Sequence, residues 1–284
     1  MYGAGTRHQT SGIMRKSALP GFAPSISVTL AWVGLIVLLP LTSLAVRPWT
    51  LGLTGVWHSI TEPRVVAALR LSFGTAALAA AINVPLGLLT AWVLVRYRFP
   101  GRNLADSLID MPLALPTAVA GIALAALFSP RGWLGSLLQA IGIKVDYTPL
   151  GILVALIFVG LPFVVRTLEP VIMDLPRDAE EAAATLGATR IQTIWRIVLP
   201  SLGPALIAGF GAALARGVGE YGSVIFIAGN MPMISEIAPL LIVIRLEELD
   251  YAGAAALGLV MLLVSFAILI LLNLLQARMA RRAP

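Results

Sequence analysis

The 284-residue sequence has no cysteine, which excludes disulfide bonds, thiolate metal sites and cysteine nucleophiles. Histidine is nearly as scarce, since His8 and His58 are isolated from each other and have no metal-ligand spacing. Lysine occurs only at Lys16 and Lys144. Neither lysine stands in the Gly-x-x-x-x-Gly-Lys-Ser/Thr pattern of a phosphate-binding loop, so the chain cannot hydrolyse a nucleotide through such a loop.

Charged residues of any kind are few. They make up 12% of the sequence against about 25% in soluble domains, while hydrophobic residues make up 58%. The formal net charge is nevertheless +6, because there are 20 Lys and Arg and only 14 Asp and Glu. A nucleic-acid-binding domain would be as basic but not as apolar. The composition therefore predicts a membrane protein whose basic residues lie in cytoplasmic loops.

Stretches without any charged residue show where the chain can cross a bilayer, because a spanning helix needs about 20 mostly apolar residues. Six such windows have at least 19 residues. They are Ser17–Val46, Leu71–Val95, Met111–Pro130, Tyr147–Val165, Ile197–Ala215 and Tyr251–Ala277. A seventh window, Tyr221–Ser235, has 15 residues and is too short to span, so we predict that it extends the fifth helix.

We predict an all-α polytopic membrane protein with six transmembrane helices and both termini in the cytoplasm. The predicted helices are Ser25–Val46, Val66–Val95, Asp106–Phe128, Pro149–Leu168, a fifth from just after Pro200 to Ile227, and Ala252–Ala277. This topology puts 13 of the 20 basic residues in cytoplasmic segments, as the positive-inside rule requires. Residues 1–24 are predicted to be a disordered cytoplasmic tail, and residues 25–284 one membrane domain.

The longest cytoplasmic loop, residues 174–200, carries signals for two short helices. Three acidic residues suit the N-terminal half of the first helix, where the helix dipole favours negative charge: Asp178, Glu180 and Glu181. Gly187 is predicted to end this helix in the left-handed conformation. Thr189, with Gln192 three residues later, has the spacing of a capping box and is predicted to begin the second helix.

This loop resembles the EAA loop of ABC importer permeases at every position of the motif. The matching residues are Glu181, Ala182, Ala183, Gly187, Ile197, Leu199 and Pro200. The resemblance implies that the first short helix is a coupling helix, which docks on a separate ATPase and transmits its ATP-driven movement. An ordinary capped loop would explain the glycine and the caps but not the full spacing of the motif.

Further segments narrow the resemblance to one branch of these permeases. They are Leu115–Gly121, Gly160–Thr167, Gly219–Gly222, Phe226–Asn230, Leu240–Glu247 and Asp250–Ala254. From Ser25 to Arg278 the chain looks like the T-type permease subunit of sulfate/thiosulfate importers. Molybdate permeases share the Gly219–Gly222 element, so a related oxyanion is the alternative substrate, and the stretch Ile244–Ala254 favours sulfate.

The resemblance also implies the rest of an assembly in the bacterial inner membrane. It implies the type I ABC importer permease fold and a W-type permease subunit as partner. Two copies of an ATPase would bind ATP and Mg below the membrane, and a soluble binding protein would deliver the anion from outside. No cofactor bound by this chain and no nucleic-acid partner are expected.

Arg216 and Glu220 are the charges that we predict to lie deep within a membrane helix, four residues apart and hence on one face. They either form a structural or gate-forming pair, or Arg216 binds sulfate directly. The wider set of pathway or gate candidates is Pro112, Pro116, Thr117, Gly121, Arg216, Glu220 and Tyr221.

Two other function classes compete with an ATP-driven permease. A secondary transporter would place carboxylates at mid-membrane on broken helices in repeated halves, and here only Glu220 qualifies. An intramembrane enzyme would need clustered His, Asp or Ser/Lys machinery, which the sequence does not show.

Overall fold

The computed structural model describes residues 22–176 and 178–280, and within these ranges it has helices and turns but no β-strand. Five helices of the described ranges are long and apolar enough to cross a membrane, and one bent pair of helices, counted as one broken span, gives a sixth. This confirms the predicted all-α architecture with six spans. The predicted disordered tail over residues 1–24 lies outside the described ranges, except that α1 already begins at Phe22.

The first crossing is a longer helical run than predicted, because Pro48 changes the helix to a 3₁₀ turn and does not end the run. Its parts in chain order are α1 Phe22–Val33, a π-helical turn Gly34–Leu38, α2 Leu39–Val46, a 3₁₀ turn Arg47–Leu51 and α3 Gly52–Thr61. Pro48 stands at the start of the 3₁₀ turn, where a missing N–H costs no hydrogen bond. The most apolar part of this run is not buried by the rest of the chain, as expected of a surface that meets lipid.

Four long helices correspond to the remaining straight spans and build the core, with α4, α8 and α14 longer than predicted and α11 shorter. They are α4 Pro63–Arg96, α8 Pro149–Asp174, α11 Leu199–Val218 and α14 Tyr251–Ala280. α4, α8 and α11 pack against one another, and α14 packs on α11. The buried residues are mostly Ala, Val, Leu and Ile. A core of this kind holds together in lipid through close contact rather than through hydrophobic exclusion.

Glycines let the three central helices approach closely. A Cβ placed on Gly87 of α4 would lie 2.6 Å from Cγ1 of Val164 on α8. A Cβ on Gly217 of α11 would lie 3.3 Å from Cβ of Ala76 on α4. Small residues at such positions allow neighbouring backbones to touch, which is the main source of helix association in a bilayer.

The third crossing is broken, so the prediction of a single helix over Asp106–Phe128 is wrong. α5 Arg102–Ala114 and α6 Thr117–Phe128 meet at 109°. Pro116 causes the break: it has no N–H to donate, and its ring disfavours helical geometry at Leu115, whose ψ is 137°. Pro112, in contrast, lies inside α5 without ending it.

The fifth crossing ends at Val218, so the prediction that it continues to Ile227 is wrong. Gly219 caps α11, and the chain then turns before the separate helix α12, Val224–Ile227. Gly219 disfavours continuation of the helix, because glycine is a poor helix former. The Glu220 carboxylate accepts a hydrogen bond from the Ser223 N–H, and this bond stabilises the turn. Two further short helices lie between the long ones, namely α7 Trp133–Ala140 and α13 Ala238–Glu247.

Candidate functional site

The predicted coupling helix is α9, Asp178–Thr185, which follows the end of α8. Its acidic residues all lie in the first turn, where the helix dipole favours them. Gly187 has φ +79°. The Ala188 N–H donates to the Ala183 carbonyl at 3.0 Å, and the Gly187 N–H donates to the Ala184 carbonyl at 3.0 Å. These two bonds are those of a Schellman motif, which requires a left-handed residue, so Gly187 ends the helix as the sequence predicts.

The second half of the loop is a rigid extension of α11. α10, Arg190–Thr193, begins with a complete capping box in which Thr189 and Gln192 exchange backbone and side-chain bonds. From Arg190 the helical run continues without interruption to Val218 through a π-helical turn, Ile194–Val198. Ile197, Leu199 and Pro200 lie at the junction of this turn with α11. A force applied at α10 would therefore act directly on a spanning helix.

The two faces of α9 differ in their surroundings. Ala183 is buried against the protein, whereas Asp178, Glu181 and Ala182 are exposed. Glu180 is turned toward the protein, with 30% of its side chain exposed. The exposed face is thus free to meet another protein, while Glu180 and Ala183 hold the helix in place.

Three large apolar side chains of the same loop are mostly exposed, although the rest of the loop is largely polar. Leu186 is 88% exposed, Ile191 70% and Trp195 69%. A cluster of exposed apolar groups outside the lipid-facing surface marks a contact with another protein. None of the three belongs to the predicted motif. Large apolar residues in an otherwise polar loop could have indicated this surface from the sequence.

Arg96 is a further residue of this region that the sequence did not predict to be functional. It is the last residue of α4, and its Nη2 donates to Glu180 Oε1 at 2.9 Å and to the Leu175 carbonyl at 3.2 Å. Its guanidinium also lies 5.1 Å from the centre of the Trp92 ring. The predicted coupling helix is thereby tied to the cytoplasmic ends of α4 and α8.

The pathway candidates on the broken third crossing meet the turn after α11. A Cβ on Gly121 of α6 would lie 2.8 Å from the Ser223 Cα, and a Cβ on Gly222 would lie 3.1 Å from the Thr117 Cβ. The N-terminal half of α6 and the backbone of residues 222–223 are therefore in direct contact. Pro116 is the N-cap residue of α6, whereas Pro112 is buried within α5.

Arg216 and Glu220 form an ion pair, although Glu220 lies in the turn beyond α11 rather than in the helix. Glu220 is 2% exposed, and its Oε1 accepts two bonds at 2.9 Å from Ser223, one from N–H and one from the hydroxyl. Tyr221 is half-buried beside it. Glu220 thus fixes the turn, and Arg216, with 31% of its side chain exposed, supplies the counter-charge.

Three more ion-pair clusters were not predicted, because their members are distant in sequence. Arg166 of α8 bonds Asp106 and Asp110 of α5 and Glu169 of its own helix, at 2.6–2.8 Å. The other two clusters are Arg64 with Glu236, and Arg245 with Glu62 and Ser59. They hold α5 to α8, the turn before α13 to α4, and α13 to the end of α3. Across residues 22–176 and 178–280, no group of His, Asp and Glu could hold a metal ion.

Residues 83–282 match the family described as "Binding-protein-dependent transport system inner membrane component". The chain is 48% identical over 270 residues to the sulfate transport system permease protein CysT of Salmonella typhimurium, covering 95% of this chain and 98% of that protein. The CysT protein of Escherichia coli gives the same identity and coverage. The CysT protein of Synechocystis is 46% identical over 249 residues, covering 88% of this chain and 87% of that one.

Solved structures of ABC transporters share the fold. A bacterial ABC transporter involved in the import of the acidic polysaccharide alginate superposes with a TM-score of 0.74 at 17% identity, covering 90% of this chain and 94% of that chain. An inward-facing form of the MetNI methionine ABC transporter gives a TM-score of 0.55 at 16% identity, covering 77% of this chain and 95% of that chain. At these identities the likeness shows the fold alone.

Proposed function

Because this chain belongs to the binding-protein-dependent transport system inner membrane component family, we propose that it carries sulfate or thiosulfate through the bacterial inner membrane. It is the permease subunit of an ABC importer and is not itself the ATPase. The observation that carries the substrate assignment is the 48% identity to CysT sulfate permeases over nearly the full length of both chains.

The arrangement of the cytoplasmic loop supports a role in receiving movement from an ATPase. α9 presents an exposed face, and the exposed Leu186, Ile191 and Trp195 add apolar surface beside it. A docked ATPase would bury this surface. Behind it, α10 is continuous with α11, so that displacement at the loop reaches the helix that carries Arg216.

The partners divide into those the family requires and those we add. An ATPase subunit and a binding protein belong to transporters of this family. We propose further that two copies of the ATPase bind ATP and Mg, and that a W-type permease completes the translocation pathway. The contact between α6 and the turn at Glu220 would then lie at or near the gate.

Radiolabelled sulfate uptake into proteoliposomes tests the proposal. Proteoliposomes that contain the complex of this chain, a W-type subunit, the ATPase and the binding protein should accumulate sulfate only when ATP is present on the side of the membrane where the ATPase lies. Excess unlabelled thiosulfate should compete, and molybdate should compete poorly. Uptake driven by a proton or sodium gradient without ATP would overturn the mechanism, and preferential uptake of molybdate would overturn the substrate.

A further inference from the structure

Arg96 occupies the place where three parts of the cytoplasmic side meet. It ends α4, it bonds the carbonyl of Leu175 at the end of α8, and it forms an ion pair with Glu180 on α9. We propose that Arg96 is a positioning residue that transmits the movement of the coupling helix to α4. This inference rests on the proposed function, since it names the route by which that movement enters the membrane.

The pair is placed where both charges are favoured. Arg96 lies at the C-terminus of α4 and Glu180 in the first turn of α9, so that each charge complements the dipole of its own helix. Only 12% of the Arg96 side chain and 30% of the Glu180 side chain are exposed. A pair so shielded from water is screened by salt much less than an exposed one. The Trp92 ring against the guanidinium restricts it to this orientation.

α9 has few other attachments to the spanning helices. Its main neighbours are α10 and the π-helical turn, which belong to the same loop. Among the hydrogen bonds and ion pairs of the described residues, the Arg96–Glu180 bond is its side-chain link to a spanning helix outside that loop. Movement of α9 would reach α11 through α10 and the π-helical turn. Through the Arg96–Glu180 ion pair it would reach α4. Because α4 packs on α8 and α11, both routes together would shift the core as one body.

Loss of Arg96 should therefore separate ATP hydrolysis from transport. In the full reconstituted complex, Arg96→Ala should assemble and hydrolyse ATP, yet move at least threefold less sulfate per ATP hydrolysed. Glu180→Gln should have the same effect, because it removes the charge while leaving α4 intact. Arg96→Lys should lie between, since it keeps the charge but loses the planar guanidinium, whose Nη2 donates to both acceptors. The double variant Arg96→Ala, Glu180→Gln should be no worse than either single variant.

Arg98→Ala is the matched control, because Arg98 is exposed, lies two residues further on and is in none of the ion pairs of the described residues. It should leave sulfate transported per ATP unchanged. A wild-type ratio in both Arg96→Ala and Glu180→Gln would overturn the proposal. So would a fall in uptake, hydrolysis and complex yield in equal proportion, which is the signature of a merely structural residue.

The same measurements keep this proposal separate from the substrate assignment. If the wild-type complex imports a different oxyanion with ATP, the sulfate assignment fails, and transport of that anion per ATP still tests Arg96. If the wild-type complex imports sulfate and the Arg96 variants keep the wild-type ratio, the proposed function stands and the role of Arg96 fails.

Discussion

Glu220 is the residue on which the turn after α11 depends. Its carboxylate is almost fully buried. One of the two oxygens accepts from Ser223, and the other pairs with Arg216. Removing one partner of a buried ion pair costs about 3–5 kcal/mol, because the remaining charge is left uncompensated. The stability of the turn is therefore tied to Arg216, a residue of the preceding helix.

Arg216→Ala should lower both the yield of complex and sulfate uptake. The double variant Arg216→Ala, Glu220→Gln should recover yield, because it removes the bare charge and retains an oxygen that accepts from Ser223. A double-mutant cycle on complex yield and uptake measures the coupling. Additive losses would contradict the pair, and good assembly without transport in the double variant would indicate that Arg216 binds the anion.

Gly187 makes a separate prediction about backbone conformation. No atom lies within 4 Å of a Cβ added there, so a substitution is opposed by its φ of +79° alone. Gly187→Val should cost about 1–2 kcal/mol and misdirect α9, whereas Gly187→Asn should be milder, because asparagine adopts this conformation more readily. Binding of the ATPase subunit and uptake should fall in the valine variant and much less in the asparagine variant. Equal activity in both would contradict the assigned geometry.

At the scale of elements, α6 packs closely against the turn at residues 222–223 in the candidate pathway. Gly121→Ala should destabilise the protein by about 1–3 kcal/mol, because the new methyl group meets backbone atoms that cannot move aside independently. Gly74→Ala is the control, since nothing lies within 4 Å of a Cβ on this α4 residue. Thermal unfolding in detergent should show a lower Tm for the first variant only. An unchanged Tm would mean that the crossing is loose.

The helix signals that sequence reasoning captured are local ones. Charge-free windows located α4, α8 and α14. Gly187 located the end of α9, and the spacing of Thr189 and Gln192 located the start of α10, because capping depends on residues a few positions apart. The break at Pro116 was also local, but proline is tolerated within membrane helices such as α5, so its effect there was not decided by residue type.

What the sequence could not show was pairing over long separations. Arg96 and Glu180 are 84 positions apart, and Arg166 and Asp110 are 56 apart. Each residue alone resembles an ordinary charge near the cytoplasmic end of a helix. Only the packing of α4 and α5 against α8 brings them together, and that packing depends on the whole set of helices.

At the scale of the whole molecule, six crossings put both ends of the chain on the same side of the membrane. The cysteine-free sequence allows this to be tested with single cysteines. Thr185→Cys, in the exposed end of α9, should react with an impermeant maleimide only from the cytoplasmic face. Ser136→Cys, exposed on α7, should react only from outside. Reaction of Thr185→Cys from outside would overturn both the topology and the coupling role of α9.

The helical run from Phe22 to Thr61 has a consequence for biosynthesis. Within the described part of the chain it packs chiefly against α14, which lies far later in the sequence. This run therefore leaves the ribosome well before its main protein neighbour is translated, and contacts between such distant parts of a chain form slowly. During that interval lipid covers it, and membrane insertion of the first helix has to succeed on its hydrophobicity alone.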